Sequence, residues 1–223
     1  MLNPALLLCD SDALTQFFLA NELRPLRQLK DLYGIQPAVV QEVDLELRWV
    51  GKHRDRFVPQ LDKALKSNVL CVLEPPYFQS LLSTAPVGAS WAAFQSLGAQ
   101  YDGHIGPGEA YTFAAAVTLN LPALSNDFSA IKTLESNMLT LPTPVLRSFD
   151  LLAFCFQNGL LELKACEAAR GELLKNGEGL PKHSCILHLK TGLRTSRHGF
   201  GMVLASVAIA GGTYSTPLQI SRI

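Results

Sequence analysis

Twice in this chain a short apolar run ends in an acid that opens a helix-period segment: "ALLLCDSDALTQFF" from residue 5 and "LPALSNDFSAIKTLE" from residue 121. Runs of this length without alternating polarity read as strands buried on both faces, which is the condition of strands in a parallel sheet. The acid that follows then stands at the carboxyl edge of the sheet, where open α/β folds place their ligands. For Asp10 taken alone, a helix cap supplied by Asp10 or Ser11 is the simpler explanation, because both residue types are favoured N-caps.

The rest of the chain alternates in the same way. "ALTQFFLANELRPLRQLKDLYG" spaces Leu14, Phe17, Phe18 and Leu23 as a helix or helix pair, interrupted at Pro25 and stopped at Gly34. "IQPAVVQEVDLELRWV" reads as a helix with Pro37 in its first turn and Val39, Val43 and Leu47 along one face, beside which lies Glu42. "NVLCVLEPP" is a strand closed by prolines, and residues 77–97 read as two short helices split at Pro86 and Gly88. A Gly-Pro-Gly turn at 106–108 starts a helix with Glu109 in its first turn. Ala123–Ser125 forms a strand, "NMLTLPTP" offers one more, and "VLRSFDLLAFCFQNGLLELKACEAARGELLKNG" reads as two helices hinged at Gly159. Strands alternating with helices predict an α/β three-layer sandwich with a central parallel sheet. That domain is expected over residues 1–181. Residues 182–223 form an extension of unassigned role, in which "CILHLK" resembles an edge strand and the rest has no period.

Composition narrows the function. Lys plus Arg and Asp plus Glu balance at 19 each, so no overall field draws in nucleic acid. Local balance differs: Arg48, Lys52, Arg54, Arg56, Lys63 and Lys66 face only Asp55 and Asp62, and no acid follows Glu178. The first cluster is a candidate grip on a phosphate backbone, against the plain alternative of a solvated face. Cys9, Cys71, Cys155, Cys166 and Cys185 show no CxxC spacing and mostly sit in apolar runs, as reduced core residues do. The five histidines form no zinc-type pair. No apolar run reaches the roughly 18 residues of a membrane span, and the first nine residues lack a basic leader, so a cytoplasmic protein is expected.

Asp10 and Asp127 at strand ends, with Glu42 and Glu109 on helices, lie beside apolar residues rather than on solvated faces. Converging at one sheet edge, four carboxylates would raise one another's pKa and call for a divalent cation. An all-oxygen set suits Mg²⁺ or Mn²⁺, and the matching chemistry is phosphodiester hydrolysis. The order of these acids in "LLLCDSDAL", "PAVVQEVDLEL", "GPGEAYTFAAAVTLNLPALSNDFSAIK" and "RSFDLLAFCFQNGLL" resembles the PIN-domain ribonucleases over residues 5–178. The resemblance implies Asp10, Glu42, Glu109 and Asp127 as the catalytic metal ligands, with Ser11, Asp12 and Asn126 in supporting places. It also implies an RNA substrate, a cognate antitoxin protein as in toxin-antitoxin pairs, and a homodimer. The segment at 75–105 is longer than in compact members, and the tail has no counterpart.

Two other readings stay open. "LLLCDSDALT" also resembles the DxD opening of haloacid-dehalogenase-like phosphatases, with Asp10 as nucleophile and Asp12 as general acid. That pattern needs a second acid shortly after Asp127, which "LSNDFSAIK" lacks. A PIN-like module that binds RNA or a protein without cutting is the other, although clustered acids beside phosphates serve no binder without a metal.

Overall fold

A computed structural model of the chain describes residues 5–19, 21–49, 54–141, 145–157 and 159–176. In chain order these form β1 (Ala5–Cys9), α1 (Ser11–Leu19), α2 (Arg24–Tyr33), β2 (Ile35–Val40), α3 (Gln41–Trp49), α4 (Arg54–Lys66), β3 (Cys71–Leu73), α5 (Pro75–Leu82), α6 (Trp91–Asp102) and α7 (Pro107–Leu119). They continue as β4 (Ala123–Leu124), α8 (Phe128–Ser136), β5 (Val145–Leu146), α9 (Ser148–Gln157) and α10 (Leu163–Asn176). The strands make one sheet in the order β3-β2-β1-β4-β5, with every pairing parallel. Helices flank the sheet, giving the three-layer α/β sandwich expected from the alternation.

The strand order reverses between β1 and β4. From β1 the chain winds outward through β2 and β3, then returns to start the other arm with β4 and β5. Connecting segments therefore leave the carboxyl ends of β1 and β4 in opposite directions, and a crevice opens between them. Two backbone bonds close the sheet at this point, Leu8 N–H to Pro122 O and Asp10 N–H to Leu124 O, both 3.0 Å.

β1 is buried from Leu6 onward and β2 throughout, so their apolar runs lack alternation because both faces are covered. α2 ends where Gly34 adopts a left-handed φ of 65° and donates its N–H to Leu29 O and Lys30 O. α7 is apolar on nearly every side, with Ala110, Phe113, Ala114, Ala115 and Ala116 all buried. Its small side chains let it lie against β1, β2, β4, α3 and α6 at once, which fixes the height of Glu109 above the sheet.

Residues 35–40 depart from the reading as the first turns of a helix. Ile35–Val40 is a strand, Pro37 pairs in register with Leu7, and the helix begins at Gln41. Pro37 is tolerated inside the sheet alongside Gln36, a buried side chain that knits β2 to the loop before β3. Gln36 Nε2 donates to Pro37 O at 3.0 Å, Asn68 O at 3.4 Å and Val69 O at 3.1 Å. The last strand also falls later than "NMLTLPTP": it is Val145–Leu146, and residues 142–144 lie outside the described residues. The helix pair at 11–33, the split at 83–90 and the turn at Gly159, φ 66°, lie where the sequence puts them. Cys9, Cys155 and Cys166 are buried and Cys71 is half-buried, as core residues, whereas Cys185 and the whole extension at 182–223 lie outside the described residues.

Gln36→Leu should leave the carbonyls of Pro37 and Val69 without their donor inside the sheet. A loss of about 1–3 kcal/mol in urea unfolding is expected. Unchanged stability would mean that water reaches these carbonyls.

Candidate functional site

Asp10 follows β1 directly and is 0% exposed. One carboxyl oxygen, Oδ1, accepts the Ala13 N–H at 2.8 Å, so Asp10 does cap α1. The other, Oδ2, is buried and has no hydrogen-bond partner among the described residues. Burial pushes this carboxyl up to about 7; the Ser125 hydroxyl and the Ala13 N–H pull the other way, and Asp12 and Glu46 add to the rise. The cap thus accounts for half of Asp10 and leaves the other half unexplained.

Across the crevice, the turn after β4 presents Ser125, Asn126 and Asp127. The Ser125 hydroxyl accepts the Asp127 N–H at 3.2 Å, and Asp127 Oδ1 caps α8 by accepting the N–H groups of Ser129 at 2.6 Å and Ala130 at 2.9 Å. Asn126 is a clamp. It donates to Gln16 Oε1 at 2.9 Å and Ser148 Oγ at 2.8 Å, and accepts the Ser148 N–H at 3.0 Å, so it ties β4 to α1 and α9. All its polar atoms are spent on holding the turn that carries Asp127.

Glu109 projects from the first turn of α7, where the helix N-terminus would favour a charged carboxylate. Its surroundings overrule that preference. Burial, the charges of Asp10 and Asp127, a hydrogen bond to Asp127, and Asp12 together push it up to about 9. Glu109 is therefore held toward its protonated form, and its carboxyl shares a hydrogen bond with Asp127.

The glutamate that α3 contributes is Glu46. Burial raises its pKa, the Ser11 hydroxyl opposes the rise and Asp12 adds to it. Its Oε2 occupies the place a side chain on Gly108 would take, 2.0 Å from an ideal Cβ there, so the glycine lets α3 and α7 close around this carboxylate. Glu42 is also half-buried and raised by burial, but none of the other acids acts on it; its charge is felt by Tyr111 instead. Helical geometry explains the difference. At 100° per residue Glu46 lies about 80° from the direction of Val43 and Leu47, and Glu42 about 120°. That angle was available in "QEVDLEL", where Glu42 and Glu46 are one turn apart.

Ser11 and Asp12 meet the cluster from α1, Ser11 through Glu46 and the exposed Asp12 through the fields it exerts on Asp10, Glu46 and Glu109. None of Asp10, Glu46, Glu109 and Asp127 forms an ion pair with a described Lys or Arg. Among the described residues, no three His, Cys, Asp or Glu side chains converge on one point as a ready cation cage.

The basic segment divides. Arg48 spends its charge inside the protein, on Asp44 and Asp62, each at 3.0 Å, and so joins α3 to α4. Arg54 lies over the ring of Trp49 at 5.5 Å, Arg56 is exposed, and Lys52 lies outside the described residues. Among the described residues no helix is long and apolar enough to cross a membrane.

Raised pKa values in the fold act on stability. In the unfolded chain Asp10 and Glu109 ionise near pH 4; the folded protein holds their protons to about pH 7 and 9. Stability is therefore full below about pH 4 and falls as the pH climbs through that window. Without divalent cations, Glu109→Gln should be more stable than the parent at pH 8, by on the order of 2 kcal/mol, and nearly equal to it at pH 4. Parallel urea-unfolding profiles for the two proteins would place the Glu109 carboxyl in free solvent.

No protein-family model, curated protein or solved structure matches this chain.

Proposed function

We propose that this protein hydrolyses RNA phosphodiester bonds with the help of Mg²⁺ or Mn²⁺ held by Asp10, Glu46, Glu109 and Asp127. The observation that supports this is the buried Asp10 Oδ2, which meets no hydrogen-bond donor among the described residues, at the crevice where the sheet reverses. Burying a carboxylate oxygen this way costs several kcal/mol unless something positive meets it. The resemblance to PIN-domain ribonucleases supplies the rest of the reading, with Glu46 taking the place assigned to Glu42.

The donor set fits such an ion in kind. It offers oxygens only, from four carboxylates that repel one another, and a hard divalent cation would relieve that repulsion. Glu109 and Asp127, which share a hydrogen bond, would both have to be ionised to hold such an ion with Asp10 and Glu46. When bound, the ion supplies an activated water and stabilises the departing oxygen. Asp12, exposed at the rim, would add negative charge beside such an ion; Ser11 steadies Glu46; Asn126 holds the turn under Asp127. Arg54 and Arg56 meet the RNA backbone. An antitoxin that covers the carboxylates, and a homodimer, belong to this reading by the same resemblance.

Cleavage of a single-stranded RNA with Mg²⁺ or Mn²⁺, and none in EDTA, is the expected result. Asp10→Asn should abolish it. Glu46→Gln should lower it by at least about 10- to 100-fold while Glu42→Gln stays within about twofold, since only the first loses a ligand. Hydrolysis of phosphomonoesters without RNA cleavage would favour the dehalogenase-like reading, and RNA binding indifferent to metal would favour a non-catalytic module.

A further inference from the structure

We infer that the substrate strand is single-stranded RNA gripped beside the carboxylates by Phe128, Lys132 and Arg147, with the phenyl ring stacking on a base and the two cations meeting its flanking phosphates. This rests on the nuclease reading above and names how that site holds its substrate.

Phe128 is the first residue of α8 and follows Asp127 directly. Its position is unusual for a phenyl group. Ala130 and Leu134 turn the core-facing side of α8 inward, whereas Phe128 stays 50% exposed at the edge of the acidic crevice. Two cations attend the ring: the Arg147 guanidinium 4.3 Å and the Lys132 ammonium 5.1 Å from its centroid. Neither forms an ion pair among the described residues. Arg147 is held in place by its backbone, which follows β5 directly and donates its N–H to Asp150 Oδ2 at 2.8 Å.

The combination is specific in what it can recognise. A polyanion approaching Asp10, Glu109 and Asp127 is repelled, so it needs positive charge nearby to be held at all. Lys132 and Arg147, both over the ring of the residue that follows Asp127, provide that charge, and the half-exposed ring provides a stacking surface. An unstacked base offers the matching π face, while a duplex keeps its bases hidden. Single-stranded RNA satisfies both demands; a free phosphate or a duplex satisfies only the first.

The full chain carrying Asp10→Asn, which leaves the strand uncut, can be titrated with a short fluorescein-labelled single-stranded oligoribonucleotide in Mn²⁺ and followed by anisotropy. Adding Phe128→Ala should weaken binding about tenfold, and Phe128→Trp should restore it. Arg147→Gln and Lys132→Gln should each weaken binding and lower the slope of log affinity against log salt by about 0.7. A duplex of the same sequence should bind more weakly and ignore Phe128→Ala. Unchanged single-strand affinity in the folded Phe128→Ala and Arg147→Gln proteins, or an equal loss for the duplex, would overturn the inference. Cleavage by the parent, measured separately, keeps the two ideas apart. Binding that depends on Phe128 without cleavage would retain this surface and remove the nuclease reading. Cleavage with indifferent variants would do the reverse.

Discussion

The pairing of β1 with β4 is the constraint from which the rest follows. Leu8 and Cys9 stand in register with Ala123 and Leu124, and the bond from the Asp10 N–H to Leu124 O joins the two arms of the sheet where the strand order reverses. A fully buried strand next to that reversal delivers its following residue to the bottom of the crevice, and that residue is an aspartate. Every other feature of the site answers this placement: α7 brings Glu109 over it, the turn after β4 brings Asp127 beside it, and Gly108 admits Glu46.

Electrostatically the arrangement runs against stability. Five carboxylates share a partly buried crevice, Asp10 and Glu109 hold protons far above the usual carboxylate range, and one buried oxygen has no partner among the described residues. A chain under selection for stability alone would place amides or apolar groups there, which cost less to bury. Perturbed carboxyls gathered in a cleft are the pattern of a working site. Lys132 and Arg147 stand over the ring of Phe128, next to Asp127, and neither forms an ion pair among the described residues.

Much of this was legible in the sequence, and the exceptions have physical causes. The recurrence of strand, acid and helix put Asp10 and Asp127 just after strands, and the Gly-Pro-Gly turn put Glu109 in the first turn of a helix, as they lie in the fold, because caps and helix starts are local signals. Ile35–Val40 was misread because a proline beside helix-spaced valines imitates a first turn, and only tertiary burial, together with the donor from Gln36, makes that segment a strand. Glu42 and Glu46 both border the Val43–Leu47 face; helical spacing favours Glu46, about 80° from that direction against about 120°, and Gly108 is what lets α3 and α7 close around it. Arg48 looked like part of a basic surface, but its partners Asp44 and Asp62 include one from the next helix. Phe128 carried no signal at all, since a phenylalanine after a cap usually faces the core.

The central claim is that the carboxylates at the strand reversal are a cation site held in its protonated form. Calorimetric titration of Mn²⁺ into the protein at pH 7, repeated in buffers of different ionisation enthalpy, counts the protons released per ion bound. Glu109, at about 9, must be deprotonated to bind, and Asp10, at about 7, is half-protonated, so release of at least one proton per ion is expected. Glu109→Gln should lower that count. No binding of Mn²⁺, or binding without any proton release, would contradict it.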